Sequence, residues 1–308
     1  NYMPELPEVE VVKRSLNNKV QNLIKRATSV MLNDFETIDN KIEIYDGSKI
    51  DFHKHYPLLE MNPKSVLDSN SLPDRNPNCE NCAYLEQGAK LIALAGSLAR
   101  QVQDENLADV TVAAGIPPVF GSYKPGEFRT EEAISRLKLF KKHLLPFTNI
   151  VLAETQSSIQ EVITIQRVFA NCGQPLWISM TLEDQTAEQS RLRSGESLVE
   201  ALEAIDYEQV DTILFNCSQP EVMAAAVELS VTMLPATINV GVYANGFRPI
   251  SNTIEANKGY STIRDDLDPQ AYMAFARQWQ ALGATVIGGC CGIGPEHIAL
   301  LSQLNHTD

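Results

Sequence analysis

The stretch VIGGCCGIGPEHI, residues 286–298, sets Cys290 and Cys291 side by side among glycines, directly after an apolar run. Neighbouring cysteines rarely bridge each other, because the ring they close is strained. A third cysteine, Cys217, closes another apolar run, ILFNC. Three thiolates at one point, with a fourth position open, describe a catalytic zinc site with Zn–S distances near ~2.3 Å. Gly288, Gly289 and Gly292 suit such a site. They let the backbone bend so that adjacent side chains face one metal, and they leave room for a substrate. Cysteine is also a good small core residue, so three packed thiols remain the alternative that spacing leaves open.

Cys217 and Cys290 are far apart in sequence, so the fold must bring them together. From about residue 84 onward the chain alternates short apolar runs with amphipathic segments. Strands are predicted at DVTVAAG (109–115), NIVLAET (149–155), PLWISMT (175–181), VDTILFNC (210–217), ATINVGVYAN (236–245) and ATVIGGCC (284–291). Helices are predicted over 83–103, 130–145, 158–173, 197–206, 219–233 and 268–283. Thr130 and Asp268 stand as N-caps, and Gly173 and Gly283 as helix ends. The strands are apolar throughout, as a parallel sheet buried on both faces requires. Six such units admit a doubly wound sheet or an eight-stranded barrel. No Gly-x-Gly-x-x-Gly follows an early strand, which disfavours the dinucleotide fold.

Sites in parallel α/β folds form at the C-terminal ends of strands. Those ends carry Glu154, the pair Asn216 and Cys217, the pair Tyr243 and Asn245, and the pair Cys290 and Cys291. In a closed barrel they converge. Tyr243 and Asn245 are read as lining the site.

Composition bounds the partners. With 44% hydrophobic residues the chain can bury a sizeable core. Twenty-five Lys and Arg against 39 Asp and Glu give a net charge of −14, which disfavours nucleic acid, whose binding rests on cationic side chains. No run reaches the ~18 apolar residues that a membrane helix needs. The N-terminus lacks a basic-then-apolar signal segment. Six cysteines are ordinary for a reducing compartment. The reading is a cytoplasmic protein that acts on small molecules, binds neither nucleic acid nor membrane, and is compatible with a homo-oligomer.

VIGGCCGIGPEHI together with ILFNCSQP (213–220) resembles the homocysteine S-methyltransferase family. TVAAGIPPVFGSYKPGEF (111–128), VLAETQSSIQEV (151–162) and VYANGFRP (242–249) resemble that family's third, fourth and seventh strands with their loops. The resemblance covers roughly residues 85–308. It implies a (β/α)8 TIM-type barrel, here with irregular first two units, and a zinc cofactor held by Cys217, Cys290 and Cys291. It implies that Glu154 holds the homocysteine amino group. The implied reaction moves a methyl group from a sulfonium or ammonium donor to the homocysteine thiolate, giving methionine. S-methylmethionine, S-adenosylmethionine and betaine are the donors the family uses. A free thiol is mostly protonated at neutral pH, so a metal that ionises it suits this chemistry.

The front of the chain departs from that family. Its first strand ends in Asp-Gly-Gly-x-Gly, for which IYDGSK (44–49), with Asp46, is the closest text. Asp46, Asn216, Tyr243 and Asn245 join Glu154 as candidate substrate contacts. MPELPEVEVVKRSL (3–16) instead resembles the N-terminus of the formamidopyrimidine-DNA glycosylases, whose nucleophile is an N-terminal proline amine. Here Pro4 follows three residues, so its nitrogen is an amide, and that family's other motifs are missing. Residues 1–40 are therefore read as an atypical N-terminal segment and 41–308 as one barrel domain. Two alternatives stay beside the methyltransferase: a catalytically impaired zinc-binding barrel or scaffold, and, remotely, a DNA glycosylase.

Overall fold

The structure is a computed structural model, and it describes residues 80–106, 111–184, 189–249 and 263–304. Of the two compact units into which the chain divides, one holds every described residue from Ala95 onward. The expected irregular first two units, the segment 1–40, Asp46 and the glycosylase-like stretch 3–16 lie outside the described residues.

The larger unit alternates strand and helix. Its strands are β1 (Ala113–Ile116), β2 (Ile150–Gln156), β3 (Leu176–Met180), β4 (Val210–Asn216), β5 (Asn239–Tyr243) and β6 (Val286–Ile287). The helices are α1 (Glu80–Asn106), which enters this unit at Ala95, α2 (Thr130–His143), α3 (Ile159–Phe169), α4 (Leu198–Glu203), α5 (Pro220–Met233), α6 (Pro269–Ala281) and α7 (Pro295–Leu301). All strand pairs are parallel, and the order in the sheet follows the chain, β1 to β6. A doubly wound sheet reverses its strand order at a switch point. A monotonic order is that of a β/α barrel, and the described residues form six consecutive units of a TIM-type fold.

The curvature is visible in the packing. Ala113, Leu152, Leu214 and Tyr243, from β1, β2, β4 and β5, share one buried cluster, with Trp177 of β3 and Val286 of β6 against it. Strands in a flat sheet lie ~4.8 Å apart, so side chains from six strands meet only on a concave face. The opposite face carries Ala114, Ile116, Val151, Ile178 and Phe215, each at most 1% exposed. Over it lie the apolar sides of α3 (Val162, Ile165, Phe169), α5 (Met223, Ala226, Val227) and α6 (Tyr272, Ala276, Trp279), all buried.

Local signals set the boundaries. Helix α3 opens with a capping box, in which Ser158 Oγ accepts the Glu161 N–H and the Glu161 carboxylate accepts the Ser158 N–H. Asp268 caps α6 through the Ala271 N–H, and Gly283 follows that helix at φ 106°. Thr130 is not the cap of α2. Arg129 occupies that position, without a side-chain cap bond, and Thr130 is the first helical residue. Strand β6 is much shorter than ATVIGGCC. Beyond Ile287 the chain still pairs with the β5 side, through Gly288 N–H to Val242 and Cys290 N–H to Ala244, but irregularly.

Candidate functional site

Each strand delivers its cargo at the C-terminal end of the sheet. Cys217 follows β4 directly, and Cys290 and Cys291 follow β6, so β5 stands between them. In a flat sheet those backbones would be ~10 Å apart. In this curved one Cys217 Sγ and Cys290 Sγ approach to 2.7 Å, and Cys290 Sγ lies 3.8 Å from Cys291 Sγ. All three sulfurs lie within 4.8 Å of one another. Cys217 is buried, Cys290 half-buried and Cys291 exposed, so the cluster opens toward solvent on the Cys291 side.

Two glycines make room for this, for different reasons. Gly292 sits at φ 80°, and its backbone lies against that of Gly246, where a Cβ would stand 3.2 Å away. At Gly289 the need is space. A Cβ there would meet Ile293 Cγ2 at 2.2 Å. The Gly246 N–H donates to the Cys291 carbonyl at 2.7 Å, which ties the loop after β5 to the cysteine pair. Behind it, the buried Tyr272 hydroxyl donates to the Gly288 carbonyl at 2.8 Å and lies 3.2 Å from that of Ala244, joining the ends of β5 and β6.

The cluster's charge is the test of its fitness for a metal. Thiol hydrogen bonds from Cys217 and Cys290 draw the Cys291 thiol down to about 3. Cys290 is pushed well above the usual thiol range by its bonds with Cys217 and Cys291 and by burial. For Cys217 the bond with Cys290 pulls downward, but the bond with Cys291 and burial outweigh it, and the net direction is up. Without a cation, then, one thiolate is favoured and the other two sulfurs stay protonated. A divalent metal offsets two of three thiolate charges and favours the ionised form of each. Tetrahedral zinc with ~2.3 Å bonds separates its sulfurs by roughly 3.8 Å. The Cys290–Cys291 distance matches this, and the Cys217–Cys290 pair must open by about 1 Å. A soft three-thiolate set selects zinc-like ions over magnesium or calcium.

Glu154 lies half-buried in β2, on the concave face by its alternation with Ile150 and Leu152. The β2–β3 register shifts between Ala153 and Gln156, and Thr155 is left-handed at φ 57°. This irregularity ends the regular pairing at the strand's mouth. Asn216 is engaged by the protein itself. Its Oδ1 accepts the Thr155 N–H at 3.0 Å and the Ser179 hydroxyl at 2.8 Å, and its Nδ2 donates to Thr155 Oγ1 at 2.8 Å. Asn245 is similarly used, since its Oδ1 accepts from Gln219 Nε2 and from the Phe247 N–H. Tyr243 is 6% exposed and belongs to the concave cluster against which Cys290 packs. Thus Cys217, Cys290, Cys291 and Tyr243 come together, Glu154 stands on the same concave face, and Asn216 and Asn245 brace the framework.

Sequence reasoning passed over three side chains at this site. The Tyr123 hydroxyl donates to the Cys217 carbonyl at 3.2 Å, as does Arg193 Nη2. Arg193 pairs with Asp184 at 2.9 Å, and its guanidinium lies 4.3 Å from the centre of the Tyr123 ring. Tyr123 is pushed well above its ordinary range, first by burial and then by the nearby Cys217. These residues sit in loops several positions beyond strand ends. Their one sequence signal was a charged pair in the segment that follows β3.

Residues 73–304 match the family described as Homocysteine S-methyltransferase. Betaine–homocysteine S-methyltransferase 1 of Mus musculus is 24% identical over 230 residues, which is 70% of this chain and 53% of that protein. The chain therefore spans about half the length of the mouse relative. Homocysteine S-methyltransferase YbgG of Bacillus subtilis (strain 168) is 24% identical over 234 residues, 69% of this chain and 70% of that one. Among solved structures, the metallated form of the homocysteine methyltransferase MmuM from Escherichia coli superposes with a TM-score of 0.56 at 23% identity, covering 72% of each chain. Its oxidised form gives 0.57 at 21% identity, covering 89% of this chain and 94% of that one.

Proposed function

The chain belongs to the homocysteine S-methyltransferase family, and on that premise we propose that it methylates the homocysteine sulfur at a zinc centre held by Cys217, Cys290 and Cys291. The observation that carries this is the meeting of three sulfurs within 4.8 Å at the C-terminal mouth of the sheet. Zinc bound there supplies the positive charge that ionises the substrate thiol at neutral pH.

The chain's own residues do the rest. Three cysteines hold the metal and leave the solvent side open, where Cys291 is exposed. Glu154, on the concave face at the end of β2, pairs with the substrate ammonium. Tyr243 and Leu214 belong to the buried cluster against which Cys290 packs, and they keep water from that side of the metal centre. In the transfer, a lone pair on the homocysteine sulfur forms the new S–CH3 bond. The bond from that methyl to the donor's sulfonium or ammonium centre breaks, and its electron pair stays with the departing neutral thioether or amine. The product is methionine, a thioether and a weaker ligand than the thiolate, so it can leave.

The test is protein purified without added zinc, assayed for metal and then for methionine formation from homocysteine with S-methylmethionine, S-adenosylmethionine and betaine in turn. About one zinc per chain and methionine from one donor are expected. Zinc without methionine from any donor would leave a non-catalytic zinc barrel. A chain that takes up no zinc sinks the proposal.

A further inference from the structure

Of the three cysteines, Cys217 alone has a left-handed backbone, with φ 51°. A non-glycine residue is strained there and persists only where its surroundings over-determine it. Those surroundings are unusually specific. The Cys217 carbonyl accepts from Arg193 Nη2 and the Tyr123 hydroxyl, both at 3.2 Å, and Thr181 Oγ1 lies 3.5 Å away. Two residues later, the Gln219 N–H donates to Asp184 Oδ1 at 3.0 Å. Arg193 and Asp184 pair with each other at 2.9 Å, with side chains only 3% and 7% exposed. The ion pair therefore spans the turn at 217–219, with its cation on the carbonyl at the start and its carboxylate on the amide at the end. Thr181 Oγ1 accepts from Arg193 Nε at 3.2 Å, and the Tyr123 ring lies under the guanidinium. Between the two anchor points, Ser218 Oγ accepts the Leu182 N–H and donates to the Leu182 carbonyl.

We propose that the buried Arg193–Asp184 pair, with Tyr123, is the positioning device of the metal centre: it holds the strained turn that aims Cys217 at the other two sulfurs. This rests on the reading of Cys217 as a metal ligand. The pair's cost supports a positional role. Two buried charges lose their hydration, and apolar residues of similar volume often serve stability as well or better. What an apolar pair cannot do is grip a carbonyl and an amide of the same turn at once. A lysine in place of Arg193 keeps the charge but lacks the planar fork that reaches Asp184, Thr181 and Cys217 together.

The experiment measures the zinc dissociation constant by competition with a chromophoric chelator, beside the melting temperature, for the full chain and for Arg193→Lys, Asp184→Asn and Tyr123→Phe. Arg136→Lys is the control, since Arg136 forms another largely buried pair, with Glu132 on α2. Arg193→Lys and Asp184→Asn are expected to weaken zinc binding by roughly 10–100-fold, as loss of a group that orients a ligand does. Their cobalt forms are expected to show an altered thiolate-to-cobalt absorption band. Tyr123→Phe weakens zinc binding less, and the control melts lower but binds zinc within roughly twofold of the parent. Parent-like zinc affinity in Arg193→Lys and Asp184→Asn, with a lowered melting temperature, overturns the proposal and leaves the pair a structural one. If those two variants do not fold, Tyr123→Phe decides, because it removes one hydroxyl and no charge, and unchanged affinity there overturns the proposal. A parent chain that binds no zinc is a different result, and it overturns the reading of the cysteines themselves.

Discussion

Three sulfurs this close suit a cation. Packed thiols gain little over an aliphatic side chain, and the cluster favours ionisation of Cys291 alone. Cys217→Ala, Cys290→Ala and Cys291→Ala are each expected to lose zinc on dialysis and to show no turnover, because two thiolates hold zinc poorly in a site left open for substrate. Any one variant that keeps its zinc and turns over normally removes that cysteine from the ligand set. In the proposed function Glu154 acts at the other end of the substrate. Glu154→Gln is expected to raise KM for homocysteine by roughly 10–100-fold with little change in kcat, the worth of a hydrogen bond to a charged group. The ammonium is remote from the reacting sulfur, so its binding is uniform between ground and transition states. Steady-state kinetics decide, and a variant with unchanged KM and a lowered melting temperature would assign Glu154 to the framework instead.

At the scale of elements, α3 carries a pH-sensitive joint. The Glu161 side chain accepts the N–H groups of Ser157 and Ser158 at the helix start while only 3% exposed. Burial pushes its carboxyl from 4.5 up to about 7, against the downward pull of those two donors. A raised value means that the folded chain binds more protons than the unfolded chain between pH 4.5 and 7. This group's contribution is therefore most favourable below pH 4.5 and is lost as pH rises through 7, by about 3 kcal/mol. Glu161→Gln keeps an acceptor for both donors and removes the ionisation. Its melting temperature is expected to fall less than the parent's between pH 5 and 8, and equal slopes would place the titration elsewhere. The same helix shows what sequence can and cannot reveal. A helix over 158–173 was legible because periodicity is local, although it closes at Phe169, before the Gly173 read as its end. Cys217 with Cys290 and Cys291 was legible from residue type and motif. The bracing of Asn216 by Thr155 and Ser179, and the grip of Arg193 and Asp184 on one turn, were not. Those depend on strand curvature and on loops whose path no short pattern encodes. Strand β6 is shorter than its apolar run because the glycine-rich stretch after Ile287 pairs without regular geometry.

At the scale of the molecule, the acidic balance of −14 and the parallel sheet point to different constraints. A net charge of −14 disfavours polyanions, and no helix among the described residues is long and apolar enough to cross a membrane. The sheet poses the harder problem. Among the described residues β1 pairs only with β2, and β6 only with β5, so each has one hydrogen-bonded neighbour. An unpaired strand edge is a template for association with other chains, and a barrel removes it by closure. On the reading of 41–308 as one barrel domain, we propose that residues 41–79 carry the partners that close this sheet. A chain beginning at Lys41 is accordingly expected to stay monodisperse, to bind zinc, and to form methionine at a rate close to the parent's. One beginning at Glu80 should associate through its open edges and precipitate. Size-exclusion chromatography with light scattering, followed by zinc and methionine assays, separates the two. If the Lys41 chain also aggregates, a strand within residues 1–40, for which ATSVMLND (27–34) is the candidate, closes the barrel, and the N-terminal segment belongs to the catalytic domain.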